Sequence, residues 1–335
     1  MNAVLVAAAL LSIPATAAAA TRAVGVKGYP SIQSAIDASA PGDIINVSPG
    51  TYHENLRITK HIKIERMPYA TSAVSVVGNI FIDTANTPSV TLVDLTLQAT
   101  TGPVLRAAGW GLSKLANVQL SRVTVWFGSD GIDGMMNLTM NGGGVVYSAD
   151  DGISITGTAS LDGVSVFGVG GDGIRIATSP YSASIARIAN TNVVQCGGRG
   201  IQIEGTHRAF LIDNVTVDEA TQVGVYLGNT ISTRLQNVTI RDTQPFEDWG
   251  DGLFATGSIN VHVENASITD NARAGIASFT SDIHVRTSAV LRNVIDLNVE
   301  IDGEIEDLGG NRCTSVCLAV SSRLEPPDLP TPPSQ

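Results

Sequence analysis

Three short acidic phrases hold the residues of this chain that are best suited to chemistry. They read GSDGI at residues 128–132, ADDGI at 149–153 and GDGI at 171–174, and their glycines recur every 21 residues. A fixed period of this length indicates a structural repeat. Each phrase predicts an acidic turn that is followed by a short apolar strand.

Stacking of these turns would bring their carboxyl groups together. Equivalent residues of neighbouring coils lie about 4.8 Å apart, so Asp130, Asp151 and Asp172 are expected to form a column, with Asp133 and Asp150 beside it. Carboxylates at this spacing cannot all ionise freely. Either the pKa of one group rises and makes it a general acid, or a cation such as Ca²⁺ binds among them. Pairs about 5 Å apart suit retaining glycoside hydrolysis, and pairs about 6.5 to 9.5 Å apart suit inversion.

The strand after each acidic turn presents a second row of side chains. With Ile174 and Ile176 pointing inward, Arg175 points outward beside the aspartates. Such a row offers hydrogen-bonding partners to hydroxyl groups and flat apolar faces to pyranose rings. Equivalent outward positions and their neighbours give the predicted substrate-binding residues, which are Asp133, Arg199, Gln202, Tyr226, Phe254 and Trp249.

The same aspartates also have a purely structural interpretation. Asp before Gly is common in turns, and a repeated turn repeats its aspartate. Arg175 and Arg199 would then be ion partners of the aspartates. The pattern leaves both interpretations open. The residues that we expect to be catalytic, if the protein is an enzyme, are Asp130, Asp150, Asp151, Asp172 and Arg175. Asp130 and Asp151 are the best candidates for the acid and the base.

The rest of the chain predicts the scaffold that holds these residues. β-branched residues alternate with small polar ones, and residues 200–220 read as three short strands separated by turns, which is one coil of a three-sheet prism. A short helix over Ser31 to Ser39 is expected to cap it. One bend of successive coils is expected to carry a ladder of stacked asparagines. Its predicted members are Asn192, Asn214, Asn237, Asn265 and Asn293.

The two ends of the chain predict its compartment. Residues 1–20 form an apolar run that ends in small residues, which predicts a signal peptide, with a membrane anchor as the alternative. We therefore expect a secreted or periplasmic protein with no membrane span in the mature chain. Cys313 and Cys317 are expected to form a disulfide in an oxidising compartment. The last residues, 325–335, hold five prolines and predict a disordered tail.

The charge of the chain limits its partners. The formal net charge is −11, which argues against nucleic acid or anionic lipid as a partner. A polyanionic substrate would be repelled unless a cation or an arginine cluster intervened. We expect a polysaccharide or another glycan as the partner, and a monomer.

A family resemblance adds to this interpretation. Residues 31–65, with SIQSAID, PGD and VSPGTYHENL, resemble the N-terminal cap and first coil of the right-handed parallel β-helix proteins of the pectin lyase superfamily. The resemblance implies an all-β, right-handed parallel β-helix, which the repeats extend to roughly nine to eleven coils. The expected parts are a signal peptide at 1–20, the cap and first coil at 21–65, the β-helix at 66–310 and a C-terminal cap with the tail at 311–335.

The order of the acidic phrases also resembles the polygalacturonases. Asp130, Asp150 and Asp151 match the acidic positions of that family, whereas Asp172 stands in place of its histidine and Gly152 in place of a cysteine. The resemblance implies hydrolase activity. From the acidic column we expect a polysaccharide hydrolase or lyase that works through acidic residues. The alternatives are a non-catalytic glycan-binding β-helix and a structural or adhesive secreted repeat protein.

Overall fold

Short β-strands account for almost all regular structure in this protein. The computed structural model describes residues 18–109, 114–177, 186–205 and 208–322, without the side chains of 208 and 209. Most of the predicted signal peptide and the whole proline-rich tail lie outside these residues. Within the described residues, one α-helix, α1 (Ile32–Ala38), and a 3-10 turn at Thr84–Asn86 accompany the strands.

The strands follow one another with short connections. In chain order they are β1 (Thr21–Val24), β2 (Ile44–Val47), β3 (Gly50–Tyr52), β4 (Leu56–Ile58), β5 (Ile62–Arg66), β6 (Val74–Val77), β7 (Ile80–Asp83), β8 (Ser89–Val93), β9 (Leu95–Ala99), β10 (Leu105–Ala108), β11 (Ala116–Phe127), β12 (Ile132–Val146), β13 (Ile153–Asp162), β14 (Ser165–Val169), β15 (Ile174–Ala177), β16 (Ala186–Cys196), β17 (Ile201–Glu204), β18 (Arg208–Ala220), β19 (Val223–Gly228), β20 (Ile231–Gln236), β21 (Thr239–Arg241), β22 (Asp251–Thr256), β23 (Val261–Glu264), β24 (Ser267–Thr269), β25 (Ala274–Phe279), β26 (Asp282–Arg286), β27 (Ala289–Leu291), β28 (Ile295–Glu300), β29 (Glu304–Asp307) and β30 (Arg312–Cys313).

The strands pair in parallel with their counterparts one coil away. Sheet A runs from β1 through β2, β5 and β8 to β29. Sheet B runs from β3 through β6 and β9 to β30. Sheet C runs from β4 through β7 and β10, the starts of β12 and β13, then β15, β17, β19, β22 and β25 to β28. The product is a parallel β-solenoid, which confirms the predicted fold class. It has about 12 turns, slightly more than the nine to eleven coils that the repeats predicted.

Apolar residues fill the prism between the three sheets. In sheet C, Ile132, Ile153, Ile174 and Ile201 stack in register and are fully buried. Successive residues of a strand point to opposite faces, so the residues between these isoleucines point away from the core. The core therefore fixes which side chains of sheet C face outward.

Helix α1 covers the first coil. The Ser31 hydroxyl accepts a hydrogen bond from the Ser34 backbone N–H at 3.1 Å, which caps the helix. Ile32, Ala35 and Ile36 are buried on the apolar face. The helix therefore closes the N-terminal end of the core.

A polar ladder lies at the bend that leads into sheet B. Asn214 donates to Asn190, and Asn265 donates to Asn237, each at 2.7 Å. These four asparagines have φ near +50°, which Asn tolerates better than most residues. The predicted membership was wrong at two positions. Asn192 lies past the bend and pairs with Ser165 and Thr216 in sheet B, and Asn293 bonds instead to the side chain of Asn271.

The C-terminal coils contain a disulfide between Cys313 and Cys317. The bridge spans four positions, and Cys313 is the last residue of β30 in sheet B. Of the helices in the described residues, none has the length and apolarity needed to cross a membrane.

Candidate active site

Close stacking of backbone explains the repeated glycines. The backbone N–H groups of Gly131 and Ile132 donate to the carbonyl oxygens of Asp151 and Gly152, each at 3.0 Å. A Cβ atom on Gly152 would lie 2.5 Å from the Gly173 carbonyl oxygen, which is closer than real contacts allow. The glycine column is therefore needed for the approach of neighbouring turns.

The turn aspartates bind backbone of the next coil. Asp151 Oδ1 accepts a hydrogen bond from the Asp172 N–H at 2.8 Å, and Asp172 Oδ1 accepts one from the Arg199 N–H at 2.8 Å. Farther along, Asp251 Oδ1 accepts one from the Ala274 N–H at 2.9 Å. One oxygen of each carboxylate thus stabilises the stack, which is the structural role that the sequence left open.

The same aspartates have raised pKa values. Burial raises the pKa of Asp130, Asp133 and Asp151, mainly because the charged carboxylate loses hydration. Burial also raises the pKa of Asp172 to about 6, although the Arg199 N–H favours its charged form. Nearby Asp151 raises this pKa further. The column therefore contains a carboxyl group that titrates near neutrality.

Asp150 differs from the column beside it. Its side chain is exposed, whereas those of Asp130 and Asp151 are half-buried. Its charge contributes to the raised pKa of both neighbours. Asp150 thus adds negative charge at the outer edge of the turns.

The outward row of sheet C has the alignment that the sequence predicted. Arg106 pairs with Asp133 across the sheet, Asp133 with Ser154, Ser154 with Arg175, and Arg175 with Gln202. The Arg106 and Asp133 side chains form an ion pair at 3.2 Å. Three of the first four of these coils therefore carry a charged side chain in the row, and the neutral Ser154 lies between Asp133 and Arg175.

A surface depression of about 300 Å³ lies over this row. Asp133, Ser154, Thr156, Arg175 and Glu204 contribute to its lining. The Ser154 side chain also donates to the Asp151 carboxylate. The Arg175 charge favours the ionised forms of Asp151 and Asp172 and so partly offsets the rise in their pKa values that burial causes. These interactions bring the turn column and the depression into one site.

The prediction that aromatic side chains line an open groove was wrong. Tyr226 and Phe254 occupy the expected outward positions, yet they are 0% and 1% exposed. Their rings stack at 5.6 Å, and Trp249 packs on Phe254 at 5.2 Å. Together with Phe279 they form a small apolar cluster on the outside of sheet C, so they present no free ring face to a ligand.

Arg199 and Gln202 belong to the same covered region. Both are at most 5% exposed, and Arg199 Nη1 donates to Gln202 Oε1 at 2.6 Å. The Arg199 guanidinium lies 4.4 Å from the centroid of the Tyr226 ring and 5.3 Å from that of Trp249. These two polar residues are therefore held beneath Trp249 and do not line an open groove.

The sequence interpretation also missed residues of the depression. These are Thr156 and Glu204, which lie two positions beyond Ser154 and Gln202 on the same strands. The ion partner of Asp133, Arg106, was missed as well and lies one coil before it. Alternation along each strand places such second positions on the same face. Extending the outward row by two residues in every coil would have found Thr156 and Glu204.

The described residues do not support the predicted calcium option. Within the described ranges, no group of three or more His, Cys, Asp or Glu residues is arranged to hold a metal ion. Backbone amides already occupy one oxygen each of Asp151 and Asp172.

Comparison with known proteins identifies the family. The sequence pattern described as "Right handed beta helix region" matches residues 146–314, just over half of the chain. The chain belongs to the right-handed β-helix family. Its members share the parallel coils seen in sheets A, B and C. No curated protein matches this sequence.

Two solved structures illustrate the same fold. The A-module of mannuronan C-5 epimerase AlgE4 from Azotobacter vinelandii matches with a TM-score of 0.65 and 14% identity, over 87% of this chain and 94% of that chain. A catalytic domain of a GH87 α-1,3-glucanase, in complex with tetrasaccharides, matches with a TM-score of 0.58 and 16% identity, over 87% of this chain and 68% of that chain. At sequence identities of 14% and 16%, this similarity shows that the proteins share a fold.

Proposed function

We propose that this β-helix protein binds a polysaccharide at the acidic turns and acts on it by acid–base chemistry. The observation that carries the proposal is the raised pKa of Asp172. Its pKa of about 6 lets the carboxyl group donate or accept a proton near neutral pH. Asp151 lies one coil away, and Arg175 extends into the adjoining depression.

Each of these groups has a distinct proposed role. Asp172 is the proton donor, because protonation relieves the cost of its burial. Asp151 is the second carboxylate, at roughly the 4.8 Å spacing of neighbouring coils, which suits a nucleophile or base on the same sugar. Arg175 binds an oxygen of the substrate and stabilises negative charge that develops near it.

The structural comparisons favour a polysaccharide as the partner. One similar protein is a mannuronan C-5 epimerase, and the other is an α-1,3-glucanase. Cleavage of a glycosidic bond needs an acid and a base, whereas elimination or epimerisation of a uronate begins with removal of a proton beside its carboxyl group. The acidic turns offer proton-transfer groups for either reaction class.

We also propose that the protein is exported, to the periplasm or outside the cell. The apolar run at residues 1–20 has the composition of a signal peptide. The Cys313 to Cys317 disulfide is compatible with an oxidising compartment.

The test is a product screen with purified protein. Mannuronan and α-1,3-glucan are incubated with it, with and without calcium, and products are followed by reducing-sugar release, by absorbance at about 235 nm for unsaturated ends and by proton NMR for epimerisation. We expect one reaction on one substrate, and a loss of about 10² to 10⁴-fold in Asp172→Asn and Asp151→Asn. Asp270→Asn is the matched control, because Asp270 is an exposed aspartate in a distant coil that pairs with Arg292. Full activity in the first two variants would contradict the assigned roles.

A non-catalytic glycan-binding function is the second candidate. The observation in its favour is that Asp151 and Asp172 each bond to the backbone of the next coil. Under this alternative the screen finds no turnover on either polymer, while binding by calorimetry persists in wild type and in Asp172→Asn.

A further inference from the structure

An exposed aromatic cluster flanks the acidic turns on the side away from sheet C. Phe127 and Tyr147 are each 49% exposed, and their nearly parallel rings have centroids 6.4 Å apart. Trp126 lies 5.9 Å from Phe127, and Phe167 lies 5.6 Å from Tyr147. Four of the 16 aromatic side chains of the chain thus meet at one surface. We name the residues Trp126, Phe127, Tyr147 and Phe167 the aromatic platform.

Two members of the aromatic platform have unusual backbone conformations. Phe127 has φ of +62° and Tyr147 has φ of +59°, the left-handed region that bulky residues avoid. In the coils that follow, the same corner is occupied by small or polar residues with positive φ. They are Gly168, Gln195, Glu219, Asp242 and Asp270. Bulky rings at such strained, exposed positions point to a function.

The aromatic platform is tied to the acidic turns by short chain connections. Phe127 precedes Asp130 by three residues, and Tyr147 precedes Asp150 by three. Three residues of extended chain span at most about 11 Å. A ligand of a few sugar units that touches the turns therefore reaches the platform as well.

The surroundings select the kind of ligand. Asp130 and Asp150 each follow an exposed ring of the aromatic platform by three positions, so their negative charge repels anionic lipids and polyanions near it. Ionised carboxylates only accept hydrogen bonds, which suits a ligand with many hydroxyl groups. A neutral sugar provides those hydroxyls together with apolar ring faces for the aromatic rings.

We propose that the aromatic platform is a binding subsite for neutral pyranose units of a polysaccharide that extends to the acidic turns. This inference rests on the proposed function and narrows its substrate class to neutral sugars at this end of the site. Phe127 and Tyr147 supply the ring faces. Trp126 and Phe167 hold these two rings in place.

The test measures binding of two probes by calorimetry, an α-1,3-glucan tetrasaccharide and an oligomannuronate of equal length. We expect the wild type to bind the neutral probe more tightly. The double variant Phe127→Asn and Tyr147→Asn should bind the neutral probe at least roughly tenfold more weakly. Its melting temperature should change little, since Asn relieves the backbone strain while the ring contacts are lost.

Three further variants sharpen the result. Tyr147→Phe should retain affinity, and Tyr147→Leu should lose it, because Leu is apolar but has no flat ring face. Asp242→Asn is the matched control, since it changes the same corner four coils beyond Tyr147 and lies outside the site. An equal loss of affinity in Tyr147→Phe and Tyr147→Leu would contradict the proposal that the Tyr147 ring stacks on a sugar.

Two other outcomes overturn the inference. One is unchanged affinity in the double variant. The other is a wild type that binds neither probe but self-associates in sedimentation or binds neutral lipid vesicles through the aromatic platform. Activity separates this inference from the proposed function. If the double variant turns substrate over with an unchanged KM, only the proposed subsite is contradicted. If the double variant loses binding but the wild type shows no turnover, only the proposed enzymatic activity is contradicted.

Discussion

Two stretches of sheet C share one register and have opposite environments. In the coils that contain Asp133 and Arg175, the outward row is open and borders a depression. In the coils that contain Tyr226 and Phe254, the same row is covered by Trp249 and is almost completely buried. Identical strand geometry therefore yields a surface site in one place and a second small core in another.

The length of one corner explains the difference. Asp151 follows Val146 by five positions, and in the equivalent corner Asp251 follows Arg241 by ten. The five additional residues form the turn in which Trp249 N–H donates to the Phe246 carbonyl oxygen at 3.0 Å. This insertion carries the Trp249 ring over sheet C. The long corner of one coil thus covers the outward row of its own strand and of the strand before it.

The largest expected effect separates a buried turn aspartate from an exposed one. Asp251 is fully buried and pairs with Arg273, so Asp251→Ala leaves a buried positive charge and should lower the free energy of unfolding by about 3 to 5 kcal/mol. Asp270→Ala breaks an exposed pair with Arg292 and should cost less than about 1 kcal/mol. Urea unfolding measures both values. Equal losses would remove the distinction between buried and exposed turn aspartates.

A smaller loss is expected when the cover of the closed stretch is removed. Trp249→Ala deletes a ring that contacts Tyr226 and Phe254, and should cost about 3 kcal/mol in urea unfolding. Phe246→Ala in the same turn is the control, because that ring is 46% exposed and its loss should cost less than about 0.5 kcal/mol. A Trp249→Ala variant as stable as the wild type would show that the insertion does not hold the cluster together.

The pH dependence of stability tests the open stretch. The pKa of Asp172 is about 6 in the folded protein and 3.8 in its ordinary state. Between these values the folded protein binds more protons than the unfolded chain, so the free energy of unfolding falls as the pH rises through this window. We expect Asp172 to account for a fall on the order of 3 kcal/mol.

Asp172→Asn should remove this part of the pH dependence. Urea midpoints between pH 4 and 6 compare the variant with the wild type. Asp270→Asn should keep the fall, because Arg292 lowers the pKa of Asp270 and gives its contribution the opposite sign. An unchanged slope in Asp172→Asn would mean that Asp172 is not the group that titrates.

Local patterns were sufficient to predict the fold. The glycine period and the alternation of Ile174, Arg175 and Ile176 determine which side chains point inward, and the register of sheet C follows from them. Helix α1 also follows from its own sequence, since Ser31 caps it and its apolar residues lie on one face. These features depend on neighbours in sequence or on the next coil, which a repeat makes visible.

Exposure in the candidate site could not be predicted in the same way. The sequence of the strand that contains Tyr226 does not indicate that Trp249 packs on the Tyr226 ring, because Trp249 lies in a turn more than twenty residues later. The 28-residue step from Gly224 to Gly252 was the available sign of an insertion, but length alone does not say where a loop folds. By contrast, the exposed rings had a sequence signal in Phe127 and Tyr147, which immediately precede two acidic turns.

The stacking of the glycine column has an evolutionary consequence. Each coil between Gly131 and Gly173 is a self-contained 21-residue unit that meets only the coils above and below it. Duplication or loss of one such unit leaves the register of every other coil intact, and changes the length of the acidic surface by about 4.8 Å. The length of the acidic surface can therefore change in evolution by whole coils, while the packing of the core stays the same.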